Sequence, residues 1–343
     1  MCDLSEPLRS VSLSSSSCPS KICVKCKREA ACTALRQALY CQPCFHAQTF
    51  HKYRQCCAQA KTLFNGDIPE RILLAFSGGN ASRVLLHLAT EAKRVDPHRQ
   101  NTDEFIVCHV SESSIGDIVN DQLKLKEICA SYSLPLLIKD IQESALLDEE
   151  FHKKNQTAKE EIASIARTNI LIDTALEQKC SKIYFGDCAT RLSIKALSSC
   201  AHGRGLSLSH KSQPIVRMPD LPSLAIVYPL RMHFAKELAY LIHFEKLELS
   251  LEKSVKRPPS SSINLLAERF VMELDKDFPA TVSTICSTTA KLQSTQNVSA
   301  CSICRFPKES SLSFYTIEAL DKSCFEVLDN PTVCYGCHRL FKK

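Results

Sequence analysis

The stretch "RILLAFSGGNASRVLLHL", residues 71–88, opens with a continuous apolar run of strand length, passes through Ser-Gly-Gly and continues with apolar residues at helical spacing. A buried strand that turns through glycine into an amphipathic helix aims backbone N–H groups beyond the strand end, which is how proteins hold phosphate. Three more β-rich runs follow, "EFIVCHV", "PLLIKD" and "KIYFGD". Between the runs, "SRVLLHLATEAKR", "IGDIVNDQLKLKEICASYS" and "EIASIARTNILIDTALEQK" carry helical periodicity. Strands alternating with helices specify an α/β fold with a mostly parallel sheet covered on both faces. Ligands of such sheets bind beyond the strand C-termini, where "SGG", "CHVSES" and "GDCATR" are expected to gather. A later helical part, "HFAKELAYLIHFEKLEL" and "SSINLLAERFVMELDKDF", is split by the Pro- and Ser-rich "SVKRPPSSS".

With 343 residues and 44% hydrophobic content, the chain can hold one large α/β domain with small appendages, or roughly two ordinary domains. Its first twenty residues are Ser-rich, lack the basic and apolar regions of a signal peptide and read as a flexible leader. No apolar run approaches the roughly 20 residues that span a bilayer. The net charge of +6 permits contact with a polyanion without demanding it. Only eight glycines occur, and Gly78, Gly79, Gly186, Gly203 and Gly205 all fall in candidate motifs, which points to backbone demands there.

Twenty cysteines in a chain with no export signal indicate thiols and metal sites and not a disulfide scaffold. Near the N-terminus, Cys23-x2-Cys26 and Cys41-x2-Cys44 are separated by 14 residues, the spacing at which two knuckles close a tetrahedral zinc site. Near the C-terminus, Cys301-x2-Cys304 and Cys334-x2-Cys337 are 29 residues apart, with Cys324 between them as an alternative ligand. Neither quartet has an acid beside it or an open position, so both are expected to be structural.

Ser77, Gly78, Gly79, Asn80 and Ser82 are the candidate phosphate loop, against the alternative of a plain strand-to-helix turn. Asp187 is either a functional carboxylate or the N-cap of the "TRLSIKALSS" helix. Arg191 and Arg204 join Asp187 as candidate nucleotide or RNA contacts, although Arg204, between two glycines, also fits a helix C-terminus stopped at Gly203. "FHAQTFHKYRQCCAQAK" carries His46, His51, Lys52, Arg54 and Lys61 on a helical pattern. Of these, Lys52, Arg54 and Lys61 are candidates for tracking an RNA backbone, and a solvated helix face is the alternative.

Together, the N-terminal quartet, "LLAFSGGNASRVLL", "IYFGDCATRLSIKALSSCAHGRG", "FPATVSTICSTTAKL" and the C-terminal CxxC pairs resemble the cytoplasmic tRNA 2-thiolation protein 2 family, from residue 21 onward. The resemblance implies a PP-loop α/β fold with zinc ribbons at both ends. The implied division is a leader at 1–20, a zinc ribbon and basic helix at 21–66, a degenerate PP-loop domain at 67–250, a helical extension at 251–295 and a zinc-binding module at 296–343. It implies a cytoplasmic, non-catalytic subunit that pairs with an active PP-loop sister, binds tRNA and takes sulfur from a thiocarboxylated ubiquitin-related modifier. The implied substrates are the wobble uridines of tRNAs for lysine, glutamine and glutamate.

Active sisters of this family carry Ser-Gly-Gly-x-Asp-Ser, and here the acidic position is Ala81. A methyl group neither accepts a hydrogen bond nor helps to place Mg²⁺, which leaves ATP binding open. The sister enzymes' CxxC before an Arg-Arg pair is matched by "KEEIASIART", and their third cysteine by "SLEKSVKRPPSSS", both without cysteine. Two other readings stand beside this one: an independent ATP-dependent tRNA-modifying enzyme using Asn80 or Ser82, and a zinc-ribbon RNA-binding scaffold.

Overall fold

The computed structural model describes residues 22–35, 38–62, 70–95, 103–115, 118–205, 207–208, 213–254, 257–292, 298–309 and 332–341. The Ser-rich leader and Cys324 lie outside them. In chain order the elements are β1 (Thr33–Leu35), β2 (Ala38–Tyr40), α1 (Gln42–Thr62), β3 (Arg71–Ala75), α2 (Asn80–Val95), β4 (Glu104–Ser111) and β5 (Ile118–Asn120). There follow α3 (Gln122–Ser131), β6 (Leu136–Asp140), α4 (Gln156–Glu177), β7 (Lys182–Tyr184), α5 (Ala189–Ala201), β8 (Ile215–Met218), β9 (Leu221–Val227) and α6 (Ala235–Phe244). The chain ends with β10 (Leu251–Ser254), α7 (Ile263–Asp277), α8 (Thr281–Ala290), β11 (Val298–Ala300), β12 (Pro307–Glu309) and α9 (Tyr335–Phe341).

Six strands form one sheet in the order β6-β4-β3-β7-β9-β8, parallel except for β8 at the edge. The four strands expected from the sequence are all in it, with β3 at the centre. Alternation along β3 explains its continuous apolar reading: Ile72 and Leu74 enter one core with α1, α2, α3 and α6, and Leu73 enters the other with α4. The chain runs outward from β3 through β4 to β6, then returns to place β7 on the other side of β3. That reversal opens a crevice beyond the ends of β3 and β7.

Three details depart from the sequence reading. The helix expected across 115–133 begins only at Gln122, because Ile118–Asn120 pairs with β10 and Asp121 caps α3 by accepting from the N–H groups of Leu123 and Lys124. The β8–β9 hairpin was missed, since Pro219 in the turn and Pro222 near the start of β9 break the alternation that marks a strand. Finally, α1 is not confined to the N-terminal ribbon: Phe45, Tyr53 and Ala60 are buried in the same core as β3 and α2, so residues on both sides of the expected 66/67 boundary share one core. After the linker, Ser262 caps α7, and α7 and α8 bury Val271 and Val282 against Ala189 and Ile194 of α5.

Candidate functional site

At the crevice, Gly78 has a φ of +78° and the chain turns directly from β3 into α2. The Ser82 hydroxyl donates to the Gly79 carbonyl at 3.0 Å and lies 3.1 Å from Ser77 Oγ, so the loop's two hydroxyls are tied to the loop itself. Ser82 is buried, while Asn80 and Ala81 are half-buried. Gly186, at the end of β7, backs onto this loop so closely that a Cβ there would sit 2.9 Å from the Ser82 nitrogen. The motifs that the sequence singled out separately therefore form one contact.

Asp187 is not the N-cap of α5; Cys188 holds that position and makes no side-chain cap. Instead Asp187 Oδ2 accepts from Lys195 Nζ at 2.6 Å. Burial pushes the Asp187 carboxyl up, but Lys195, Arg191 and Arg167 outweigh it and hold the group below the usual carboxylate range. Arg191 also reaches Glu268 Oε2 on α7 at 3.6 Å, and Arg167 pairs with Glu112 at the end of β4. The crevice thus combines loop N–H groups with paired charges, and Lys195, Arg167 and Glu112 are members that the sequence did not identify. Only Glu112, just past the end of β4, sat where a strand end could have hinted at it, since Arg167 and Lys195 lie in the middle of α4 and α5.

Both cysteine quartets close, and they share one plan. In each, the first CxxC is a knuckle whose next residue, Lys27 or Arg305, has a positive φ (55° and 59°) and donates its N–H back to the first cysteine's carbonyl at 2.9 and 2.8 Å. In each, the second CxxC starts a helix, α1 or α9, whose N-terminal N–H groups favour thiolate. The four Sγ atoms of either set lie within 4.8 Å of one another, with Cys26–Cys41 at 3.8 Å and Cys304–Cys334 at 3.9 Å. A tetrahedral ion with metal–sulfur bonds of about 2.3 Å sets its sulfurs about 3.8 Å apart, so both sets fit zinc. Burial raises the Cys23 thiol, yet the N–H groups of Cys26, Cys41 and Lys25 bring it down to about 6.

Two groups of sequence candidates have other occupations. Arg204 is buried and spans the C-terminal quartet: its Nε donates to Glu161 Oε2 at 3.1 Å, and its Nη1 lies 3.4 Å from Cys337 Sγ and 3.7 Å from Cys334 Sγ. It faces thiols and not the phosphate reach expected of it. Gly336 leaves the room for this, because a Cβ there would meet Arg204 Cγ at 2.5 Å. On α1, Lys52 is held by Glu237 at 2.7 and 2.9 Å, and Lys61 by Asp103 at 2.8 Å. These two cations pack α1 onto the domain, and of the three proposed backbone contacts Arg54 alone is exposed, beside the Phe50 ring.

The C-terminal ribbon is fixed to α4: Asn169 donates to the Ile303 carbonyl at 2.9 Å, Arg305 pairs with Asp173, and Ile165 packs among Cys301, Cys304 and Cys337. Residues 262–339 match the family model for cytoplasmic tRNA 2-thiolation protein 2, and residues 52–188 match that for the PP-loop domain. A cytoplasmic tRNA 2-thiolation protein 2 of Schizosaccharomyces pombe is 25% identical across 92% of this chain and 91% of its own length. The Homo sapiens protein of that name is 24% identical across 79% and 67%. Among solved structures, the U34-tRNA thiolase NcsA from Methanococcus maripaludis, described with its 4Fe-4S cluster, shares the fold with a TM-score of 0.64 at 18% identity, over 82% of this chain and 94% of that one. The chain is thus similar to the PP-loop domain at residues 52–188, to the cytoplasmic tRNA 2-thiolation protein 2 model at its C-terminal ribbon, and to proteins of that name along most of its length.

Proposed function

We propose that the chain is a non-catalytic subunit of the cytosolic complex that 2-thiolates the wobble uridine, as 5-methoxycarbonylmethyl-2-thiouridine, of tRNAs for lysine, glutamine and glutamate. It works as a heterodimer with an active PP-loop subunit, and the sulfur comes from a thiocarboxylated ubiquitin-related modifier. The observation that carries this reading is the loop at 77–82. Its turn from strand into helix and its packing on Gly186 support a loop built like those that hold phosphate, while Ala81 stands at the acidic position of the active sisters and the Ser77 and Ser82 hydroxyls bond within the loop. The cysteine pattern supports the same reading: among the described residues, groups of three or more cysteines occur only in the two ribbon quartets. In this reading both quartets, Cys23, Cys26, Cys41 and Cys44 and Cys301, Cys304, Cys334 and Cys337, hold zinc, which supplies folding energy to small modules that lack large cores. Asp187 and Arg191 remain the candidate nucleotide or RNA contacts at the crevice.

The test is reconstitution. The purified chain should form no thiolated uridine on tRNA by itself, and should restore thiolation when the active PP-loop subunit, ATP and the sulfur donor are added. Thiolated uridine made by the isolated chain, read by mass spectrometry of digested tRNA, overturns the proposal. Failure of the two chains to co-purify from cells removes the heterodimer.

A further inference from the structure

Outside both sites, α1, α2 and the end of α6 bring four side chains together. His46 comes from α1, His87 and Glu91 stand one turn apart on α2, and Glu245 caps α6. His46 Nε2 lies 3.2 Å from Glu91 Oε2 and 3.9 Å from Glu245 Oε1, and His87 Nε2 lies 3.5 Å from Glu91 Oε2. One ligand atom each of His46, His87 and Glu245 falls within 4.8 Å of the other two. Around a tetrahedral ion bound at 2.0–2.1 Å, nitrogen and oxygen donors sit about 3.3 Å apart, so a small contraction closes this group on an ion.

Ion pairing does not complete the arrangement. His87 Nε2 and Glu91 Oε2 are buried atoms that make no hydrogen bond among the described residues, although they face each other. An unsatisfied pair of this kind calls for a partner such as an ion. The other nitrogen of His87, Nδ1, is 3.3 Å from the Tyr132 hydroxyl, whose oxygen accepts from Arg83 Nη1 at 3.0 Å. A proton on Nδ1, held by Tyr132, leaves the Nε2 lone pair facing the group, the outer support that ligating imidazoles usually have.

We propose that His46, His87 and Glu245, with Glu91 beside the two imidazoles, form a third metal site, for a zinc-class divalent cation, distinct from the two cysteine quartets. Two imidazoles and carboxylates suit such a borderline ion, whereas the quartets offer only thiolates. The ion ties α1, which begins in the N-terminal quartet, to α2 directly behind the phosphate loop. It therefore sets the ribbon's position on the α/β domain.

The experiment loads the full-length chain with Zn²⁺ and counts the metal retained after desalting, alongside His46→Gln and Glu245→Gln. Wild type should retain one equivalent more than either variant, and zinc should raise the melting temperature of wild type beyond its effect on the variants. Equal metal content in wild type and both variants overturns the site, and leaves the four side chains as an ion-pair cluster. Should His46→Gln fail to fold, Glu245→Gln, at the edge of the group past the helix end, carries the comparison alone. The count is a difference between chains, so it stands or falls independently of how much zinc the quartets take.

Discussion

Arg204 Nη1 lies 3.4 Å from Cys337 Sγ, which places a guanidinium of the α/β domain against the thiols of the C-terminal ribbon. Four thiolates around a divalent ion leave net negative charge, and the cation offsets it where water is excluded. Arg204→Gln should therefore weaken metal at the C-terminal quartet by about 10–100-fold, the usual effect of losing a support to a ligand, and leave the N-terminal quartet unchanged. Chelator-driven zinc release, resolved by site, measures this. Equal release rates at that quartet in wild type and variant would show that Arg204 only packs.

Gly186 permits the end of β7 to touch the loop at Ser82. Gly186→Ala puts a methyl group 2.9 Å from a backbone nitrogen that cannot turn aside, and should cost about 1–3 kcal/mol. Gly205→Ala is the control, since a Cβ there meets nothing within 4 Å, and it should be close to neutral. Urea unfolding midpoints of the two variants compare them directly.

The parts of this fold that the sequence carried were those with local periodicity. β3, α2 and α4 bury alternating or helical faces, and each was legible from spacing alone. The four cysteines of each quartet were legible for another reason, because ligand spacing is covalent arithmetic. What escaped was set by partners distant in sequence. Ile118–Asn120 reads as helix until β10 pairs with it, and Arg204 reads as a free guanidinium until a ribbon 130 residues later closes over it. Lys52 and Lys61 were misread for the same reason, as Glu237 and Asp103 are invisible in the pattern of α1 itself.

Those two lysines now lead to a different expectation for RNA. Lys52→Gln leaves Glu237, whose side chain is 6% exposed, without its cation, and should destabilise the fold by about 1–3 kcal/mol. The salt dependence of tRNA binding should not change with Lys52→Gln. Arg54→Gln removes an exposed charge, and at most one unit of slope, about 0.9 or less, can go with it. Binding isotherms across a salt series separate the two variants, and a fall of two units in the Lys52 variant would return that residue to the RNA surface.

His233 gives the chain an acid-sensitive point. Its ring is fully buried, Nε2 lies 3.0 Å from the Thr49 carbonyl, and burial brings its pKa down to about 4, with Lys52 adding to the fall. The unfolded chain takes up this proton near pH 6.5 and the folded chain does not, so the stability His233 supports is complete above 6.5 and is lost as pH falls toward 4. The loss is about 3 kcal/mol at most, from one unit being about 1.4 kcal/mol. His233→Gln cannot protonate, and its stability should fall less steeply over that window. Denaturant melts at pH 7, 6 and 5 test it, and parallel curves would reject the assignment.

Ala81 offers the sharpest test of the non-catalytic reading. Ala81→Asp restores the acidic side chain of the active sisters in the first turn of α2, where the helix N-terminus tolerates negative charge and the position is only half-buried. The fold should survive, with a melting temperature within a few degrees of wild type. A carboxylate there can help to place Mg²⁺, so a gain in Mg²⁺-dependent ATP binding is expected. Thiolation of tRNA by the isolated variant is not, because the segments "KEEIASIART" and "SLEKSVKRPPSSS" still lack the thiols that handle sulfur in the sisters. Restoring one member of a set that acts as a unit recovers little of the whole. ATP binding by calorimetry and thiouridine by mass spectrometry should therefore part company in this variant. If both appear together, the lost carboxylate was the only defect, and the chain is an enzyme one substitution from activity.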